Sequence, residues 1–151
     1  MSVKAYSVTT RIEFCYGHRL LDYQGICKHP HGHNAVVEVE VRSIALDERG
    51  MVCDFADVRR VVKTWVDREL DHKMILRRDD PLVEALQRLG EPVCLVDSNP
   101  TAEHIARIIS DYVAASGLPI VLRPPLAAPA SHPPSGRCPA FRTAPPPSPS
   151  A

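Results

Sequence analysis

At 151 residues, with 44% hydrophobic and 24% charged side chains, the chain is sized for one domain with a substantial core. Its 18 basic and 18 acidic residues cancel and only 5% of residues are aromatic, so it lacks the basic stripe and stacking platform of a nucleic-acid binder. No apolar run approaches the length of a membrane span, Met1 to Tyr6 has no apolar leader-like core, and five scattered cysteines read as free thiols, which together give the expectation of a soluble cytoplasmic protein without a membrane partner.

In chain order, residues 3–14 mix β-branched and apolar side chains and predict a strand, followed by a loop from Gly17 to Gly25. Residues 34–46 carry the cleanest period in the sequence. Val37, Val39 and Val41 face one way and Glu38, Glu40 and Arg42 the other, as in an antiparallel sheet with one solvated face. Asp47 to Gly50 is a turn. Asp54 is a candidate N-cap for a long helix that buries Phe55, Val58, Val61, Val62, Trp65 and Leu70 and closes at Leu70-Asp71-His72. A short helix is predicted from Pro81, with Asp80 as cap and Gly90 as stop, and a brief strand at Val93 to Val96. Asn99-Pro-Thr-Ala-Glu103 opens a second long helix whose inner face is Ile105, Ile108, Ile109, Tyr112 and Val113 and which Gly117 ends.

Pro119-Ile-Val-Leu122 starts like another strand, but the composition then breaks and this last strand is read as truncated. Residues 123–151 hold ten of the fifteen prolines and no acid, a composition unable to form a central strand, and they are expected to be a disordered tail. The expectation is therefore an α+β domain over residues 1–122, an antiparallel sheet with two long helices packed on one face, and a divergent tail over 123–151.

Four of the seven histidines fall between His18 and His33. His31 and His33 are two apart, so on an extended strand their imidazoles share a face, and His18, following the first apolar run, supplies a third nitrogen if the two strands pair. Three neutral nitrogens with an open fourth position describe a catalytic metal site, and the absence of a carboxylate or soft ligand in the set favours zinc (Zn2+) over iron or copper. His29 is read as a bystander. Cys27 lies in a polar loop four residues before a candidate ligand, where a nearby dication lowers a thiol pKa; it is either a nucleophile or a general base, against the alternative of an inert buried thiol. Asp71-His72 is either the capped end of the first long helix or an imidazole oriented by a carboxylate for proton transfer. Thr101 and Glu103 read first as helix-start residues.

Five motifs in order resemble one family. Phe14-x-x-Gly-His18-Arg-Leu, Cys27-x-x-x-His31-Gly-His33, Val52-x-Asp54-Phe55, Leu70-Asp71-His72 and Asn99-Pro-Thr-x-Glu103 resemble the 6-pyruvoyltetrahydropterin synthases and their bacterial relatives, the 6-carboxytetrahydropterin synthases of queuosine biosynthesis. The resemblance covers about residues 5–122. It implies the tunnelling fold, zinc held by His18, His31 and His33, catalysis by Cys27 with Asp71 and His72, and substrate contacts at Thr101 and Glu103. It also implies a homo-oligomer, trimer or hexamer, with active sites between subunits. The substrate implied is 7,8-dihydroneopterin triphosphate, a small molecule. The three-residue gap between Cys27 and His31 matches the 6-carboxy branch, which releases acetaldehyde and triphosphate; the pyruvoyl branch, with its longer gap, is the alternative. The family's closing strand normally carries a glutamate that holds the pterin, and here no glutamate follows Glu103. A shifted reading frame or a replacement past Leu122 is one explanation, and a zinc- or pterin-binding chain of impaired turnover is a further reading. A zinc hydrolase is disfavoured because no spare carboxylate accompanies the histidines.

Overall fold

The computed structural model describes residues 5–117 and the backbone of residues 120–121. The Pro-rich tail, with the readings of disorder and a shifted frame attached to it, lies outside the described residues. The elements are strand β1 (Tyr6–His18), a 3-10 turn (Ile26–Lys28), strand β2 (His31–Ser43), helix α1 (Phe55–Val58), a π-helical turn (Arg59–Lys63), helix α2 (Thr64–Glu69), strand β3 (Lys73–Arg77), helix α3 (Leu82–Arg88), strand β4 (Val93–Val96), helix α4 (Ala102–Ala115) and the two-residue strand β5 (Ile120–Val121).

The five strands form one sheet in the order β4-β3-β1-β2-β5. β1 and β2 pair antiparallel along their whole length, from Tyr6 opposite Ser43 to His18 opposite His31. β5 pairs antiparallel with β2, whereas β3 pairs parallel with both β1 and β4. The sheet is therefore mixed rather than antiparallel throughout. The parallel half depends on β3, a strand that sequence reading did not anticipate. Lys73 to Arg77 has no polar-apolar alternation because Ile75 and Leu76 are both 0% exposed, the signature of a strand covered on both faces.

β1 alternates along its length. Thr10, Ile12, Phe14, Tyr16 and His18 are buried, while Ser7, Thr9, Arg11, Glu13 and Cys15 face solvent. The buried face meets one core cluster with Val39 and Val41 of β2, Val58, Val62, Val66 and Leu70 of the first helical run, and Ile105, Ile109 and Val113 of α4. Both long helical segments thus lie on one face of the sheet, and the period-2 reading holds for Val39 and Val41 and, half-buried, for Val37, but not for Glu40, which is 7% exposed and accepts from Arg42 Nε at 3.0 Å. On the solvent face Arg11 and Glu38 face each other across β1 and β2.

The strands differ from expectation mainly at their ends. β1 continues through Tyr16 to His18 instead of stopping at Phe14, and β2 starts at His31 instead of Asn34. Gly17 permits that extension, since it pairs with Met74 of β3 and a side chain there would drive into the Met74 sulfur. The caps behave as their side-chain chemistry dictates. The Asp54 carboxylate accepts the Ala56 N–H at 2.8 Å, and Asp80 accepts the Leu82 N–H at 2.8 Å, although α3 itself starts after Pro81. Asp80 is buried and its partner is Arg19, whose Nε donates to it at 2.8 Å, which ties the segment after β1 to the start of α3. At α4 the N-cap is Thr101, with Pro100 outside the helix rather than in its first turn.

Leu70 is 0% exposed and sits where the first helical run meets the sheet. Leu70→Ala is expected to cost about 2–5 kcal/mol of stability, read as a lowered urea midpoint with an unchanged denaturant slope.

Candidate metal and proton-transfer site

The register of the hairpin creates the first half of the site. His18 lies directly opposite His31, and His33 lies opposite Tyr16, so three imidazoles converge at the end of the sheet on its core-facing side. One nitrogen from each ring lies within 4.8 Å of the other two. The ring centroids are 4.5 Å apart for His18 and His31, 5.0 Å for His18 and His33, and 4.9 Å for His31 and His33. Burial is graded across the three: His18 is 6% exposed, His31 is half-buried and His33 is exposed. The open side of the cluster therefore faces outward.

The carbonyls behind two of the rings argue for a cation. His18 Nδ1 lies 2.6 Å from the Pro100 carbonyl oxygen, and His31 Nδ1 lies 2.8 Å from the His29 carbonyl oxygen. A carbonyl only accepts, so each Nδ1 carries the hydrogen and each Nε2 is left with a bare lone pair. Those two Nε2 atoms are 3.0 Å apart. Two lone pairs at that distance repel unless a proton or a cation lies between them. Burial, the largest influence, pushes the His18 pKa down, against the raising effect of the Pro100 contact and with further lowering from His31 and His33, so a proton is disfavoured. Tetrahedral Zn–N bonds of about 2.0–2.1 Å separate their nitrogens by about 3.3 Å, so the observed convergence fits a metal of that size. Ligand histidines whose second nitrogen donates to a backbone carbonyl are the usual support for such a site.

Tyr16 closes the inner side. Its ring lies 5.3 Å from that of His18 and 5.8 Å from that of His33, and stacks 5.6 Å from Phe14. Burial pushes its phenol pKa up, so the hydroxyl stays neutral beside the imidazoles. Sequence reasoning passed over Tyr16, although its position two residues before His18 on one strand was the available signal.

The second half is Asp71 and His72. Asp71 Oδ1 accepts the Cys15 N–H at 2.8 Å, the His72 N–H donates to the Cys15 carbonyl at 2.7 Å, and His72 Nδ1 lies 2.7 Å from Asp71 Oδ2. The pair is thus fastened to β1 three residues before a candidate metal ligand. The Asp71 N–H also donates to the Val66 carbonyl at 2.9 Å, so the pair closes the helical run that ends at Glu69 as well as reaching β1. The Cys15 N–H, and after it His72, hold the Asp71 carboxyl below the usual carboxylate range. The carboxylate fixes the hydrogen on His72 Nδ1 and leaves Nε2 to exchange protons with whatever approaches. His72 is 79% exposed and its φ is 55°, in the left-handed region. With Cys15, His33, Asn34, Lys73 and Met74 it lines an open cleft of about 660 Å³.

The Cys27 thiol is half-buried in the 3-10 turn of the β1–β2 loop, and its carbonyl accepts the Leu20 N–H at 2.8 Å. That bond ties the Cys27 backbone to Leu20, two residues after His18. Among the described residues no hydrogen bond joins the Cys27 thiol to His72, and Cys27 is not among the residues lining the His72 cleft. His29 contributes its carbonyl to His31 and stays outside the triad; it has the same two-residue spacing to His31 as His33 has, but it precedes β2, which begins at His31. Thr101 accepts the His104 N–H at 3.3 Å as the cap of α4, and Glu103 is held below its usual pKa by its own N–H and the Thr101 hydroxyl. Their geometry is that of a helix start.

The family model described as 6-pyruvoyl tetrahydropterin synthase matches residues 7–121. The 6-carboxy-5,6,7,8-tetrahydropterin synthase of Rickettsia felis is 40% identical over 109 residues, which cover 70% of this chain and 78% of that protein. The Haemophilus influenzae protein of the same name is 29% identical over 111 residues, covering 69% and 79%. Among solved structures, an uncharacterised Wolinella succinogenes protein superposes with a TM-score of 0.63 at 26% identity, covering 78% of this chain and 89% of its own. The Plasmodium falciparum 6-pyruvoyl tetrahydropterin synthase gives a TM-score of 0.57 at 21% identity, covering 74% and 78%, a likeness of fold.

Two outcomes follow from the geometry. A non-glycine residue in the left-handed region costs about 1–3 kcal/mol, so His72→Gly is expected to raise stability by up to about 1 kcal/mol in urea denaturation while removing the imidazole. The His18 pKa in the metal-free folded chain lies below its unfolded value of about 6.5, so the unfolded chain takes up the proton first. The neutral ring's contribution is present above that value and is lost as pH falls through it toward the folded pKa. The stability gap between the metal-free protein and His18→Gln should therefore narrow from about pH 7.5 to about pH 5.5 in urea titrations.

Proposed function

We propose that this chain, which belongs to the 6-pyruvoyl tetrahydropterin synthase family, is a zinc-dependent lyase that converts 7,8-dihydroneopterin triphosphate, with uptake of water, to 6-carboxy-5,6,7,8-tetrahydropterin, acetaldehyde and triphosphate. The 6-carboxy product rests on the names of the curated relatives and on the three residues between Cys27 and His31. The observation that carries the reading is the pair of Nε2 atoms 3.0 Å apart, each bared by a carbonyl on its other nitrogen, together with a carboxylate-oriented imidazole tied to β1 at Cys15.

His18, His31 and His33 hold the ion, and its chemistry when bound is to polarise the substrate's side-chain hydroxyls and so acidify the neighbouring C–H and O–H bonds. Cys27 as thiolate removes a proton from that side chain. His72 Nε2 delivers or accepts the compensating proton, with Asp71 holding the imidazole in its tautomer and stabilising the imidazolium. Tyr16 keeps the inner side of the imidazoles apolar and dry. In this reading Cys27 and His72 meet across a boundary between two copies of the chain, in a trimer or hexamer, which accounts for the lack of contact between them within one subunit. Thr101 and Glu103 are kept as substrate contacts only through the exposed Glu103 carboxylate, since the Thr101 oxygen already serves the cap. The working compartment proposed is the cytoplasm; no helix among the described residues is long and apolar enough to cross a membrane.

A second reading is a chain that binds the metal or a pterin without turnover, favoured by the absence of any glutamate after Glu103. Losing one charged contact to a buried ligand costs on the order of 1–3 kcal/mol in binding, or more.

Incubation of the zinc-loaded protein with dihydroneopterin triphosphate distinguishes these readings. Acetaldehyde and triphosphate in equal amounts are expected; a pyruvoyl product assigns the other branch, and silence with zinc bound assigns the second reading. Cys27→Ala should lower turnover about 10²–10⁴-fold with zinc stoichiometry unchanged. Loss of zinc from that variant would make the thiol a ligand instead.

A further inference from the structure

The sequence carries an Asn-Pro step immediately before the cap of α4 that neither the helix nor the proposed chemistry accounts for. Asn99 Oδ1 accepts the Leu21 N–H at 2.9 Å, and Asn99 Nδ2 donates to the Leu21 carbonyl at 2.8 Å. The side-chain amide therefore pairs with both polar groups of one backbone residue, as a neighbouring strand would. Only a primary amide offers a donor and an acceptor in one plane for this purpose. The next residue, Pro100, is fully buried, and its carbonyl meets His18 Nδ1. A proline keeps the residue before it out of the helical region; the Thr101 N–H donates to the Asn99 carbonyl at 2.8 Å, closing a tight turn across Pro100, and the helix begins only after Thr101.

Leu21 lies in the segment that leaves the metal cluster. The Leu20 N–H donates to the Cys27 carbonyl, and Asp22 follows with φ 58°, a left-handed residue held from β3 by Arg77 at 2.8 Å. One dipeptide thus touches two functional groups at once. Pro100 orients the most buried imidazole, and Asn99 fixes the chain segment to which the Cys27 backbone is hydrogen-bonded.

We propose that Asn99 is a positioning residue for the metal site: through Leu21 and Pro100 it sets both the ring orientation of His18 and the place of the Cys27 loop. The proposal rests on the metal reading of the histidine triad. Without the amide, the Leu21 segment loses both side-chain bonds from Asn99, the Pro100 carbonyl is free to drift, and the His18 lone pair is no longer held toward the metal position.

The test uses cobalt(II) as a spectroscopic stand-in for zinc, titrated into the full chain with a competing chelator. Four proteins are compared: the unchanged chain, Asn99→Ala, Val113→Ala and His18→Ala. Val113 is 0% exposed in the core contact of α4 and far along the helix from the site, so Val113→Ala reports general destabilisation. Asn99→Ala is expected to weaken cobalt binding about 10–100-fold and to alter the visible ligand-field bands, while Val113→Ala keeps both. Asn99→Asp, which retains the acceptor for the Leu21 N–H but not the donor, should fall between Asn99→Ala and the unchanged chain. Peptide mapping after brief iodoacetamide treatment should show a changed alkylation rate at Cys27 in Asn99→Ala and none at Cys94. Cobalt affinity and bands in Asn99→Ala equal to those of the unchanged chain, or an equal loss in Val113→Ala, would overturn the positioning role while leaving the metal site standing. An unchanged chain that binds no cobalt, or a His18→Ala variant that binds it undiminished, would overturn both.

Discussion

The register of one antiparallel pair decides the rest of this molecule. β1 and β2 run together for thirteen residues each, and the same alternation that buries Ile12 and Phe14 against Val39 and Val41 brings His18, His31 and His33 to one face at the hairpin's mouth. A slip of one residue would turn the valines outward and send the imidazoles of the two strands to opposite faces. Core and site are therefore specified by the same hydrophobic pattern. The core residues enforce a register that the polar site could not hold for itself.

The parts of the fold with a strong local period were legible in the sequence. Val37, Val39 and Val41, the helical stripe from Val58 to Leu70 and the inner face of α4 each repeat often enough for burial to follow from spacing. β3 was not legible, because a strand covered on both faces gives a short apolar run without alternation and sits directly after a helix end. The extension of β1 to His18 was hidden by Gly17, which reads as a loop residue but serves close packing against Met74. His-x-His at strand spacing announced the metal face from local sequence alone. The carbonyl supports did not announce themselves, since a backbone oxygen supplied by Pro100 from 82 residues away has no residue-type signature.

That separation matters for how the site comes into being. The His31 support comes from His29, two residues away, and is complete as soon as the β1–β2 loop closes. The His18 support arrives only when α4 docks, as do the two bonds from Asn99. Asp71 and His72 reach β1 through Cys15 only once the first helical run has packed. The hairpin is local and cheap in loop entropy, whereas the functional groups are oriented by contacts of long sequence separation. The full site is thus a late product of folding, assembled on a scaffold whose register is already decided.

The facing lone pairs of His18 and His31 have a consequence for the life of the protein. A hairpin mouth that repels itself when empty, and is held shut when a cation is present, makes closure of the loop and occupancy of the site a single equilibrium. Free metal at about a hundred times its dissociation constant would add about 2.7 kcal/mol to the folded state, a large part of the margin of a domain this size. If the triad holds an ion as proposed, metal scarcity would act on abundance before it acted on rate: chains left empty would open more readily at the hairpin mouth and become substrates for proteolysis. The amount of folded protein would in that way follow the supply of its ion.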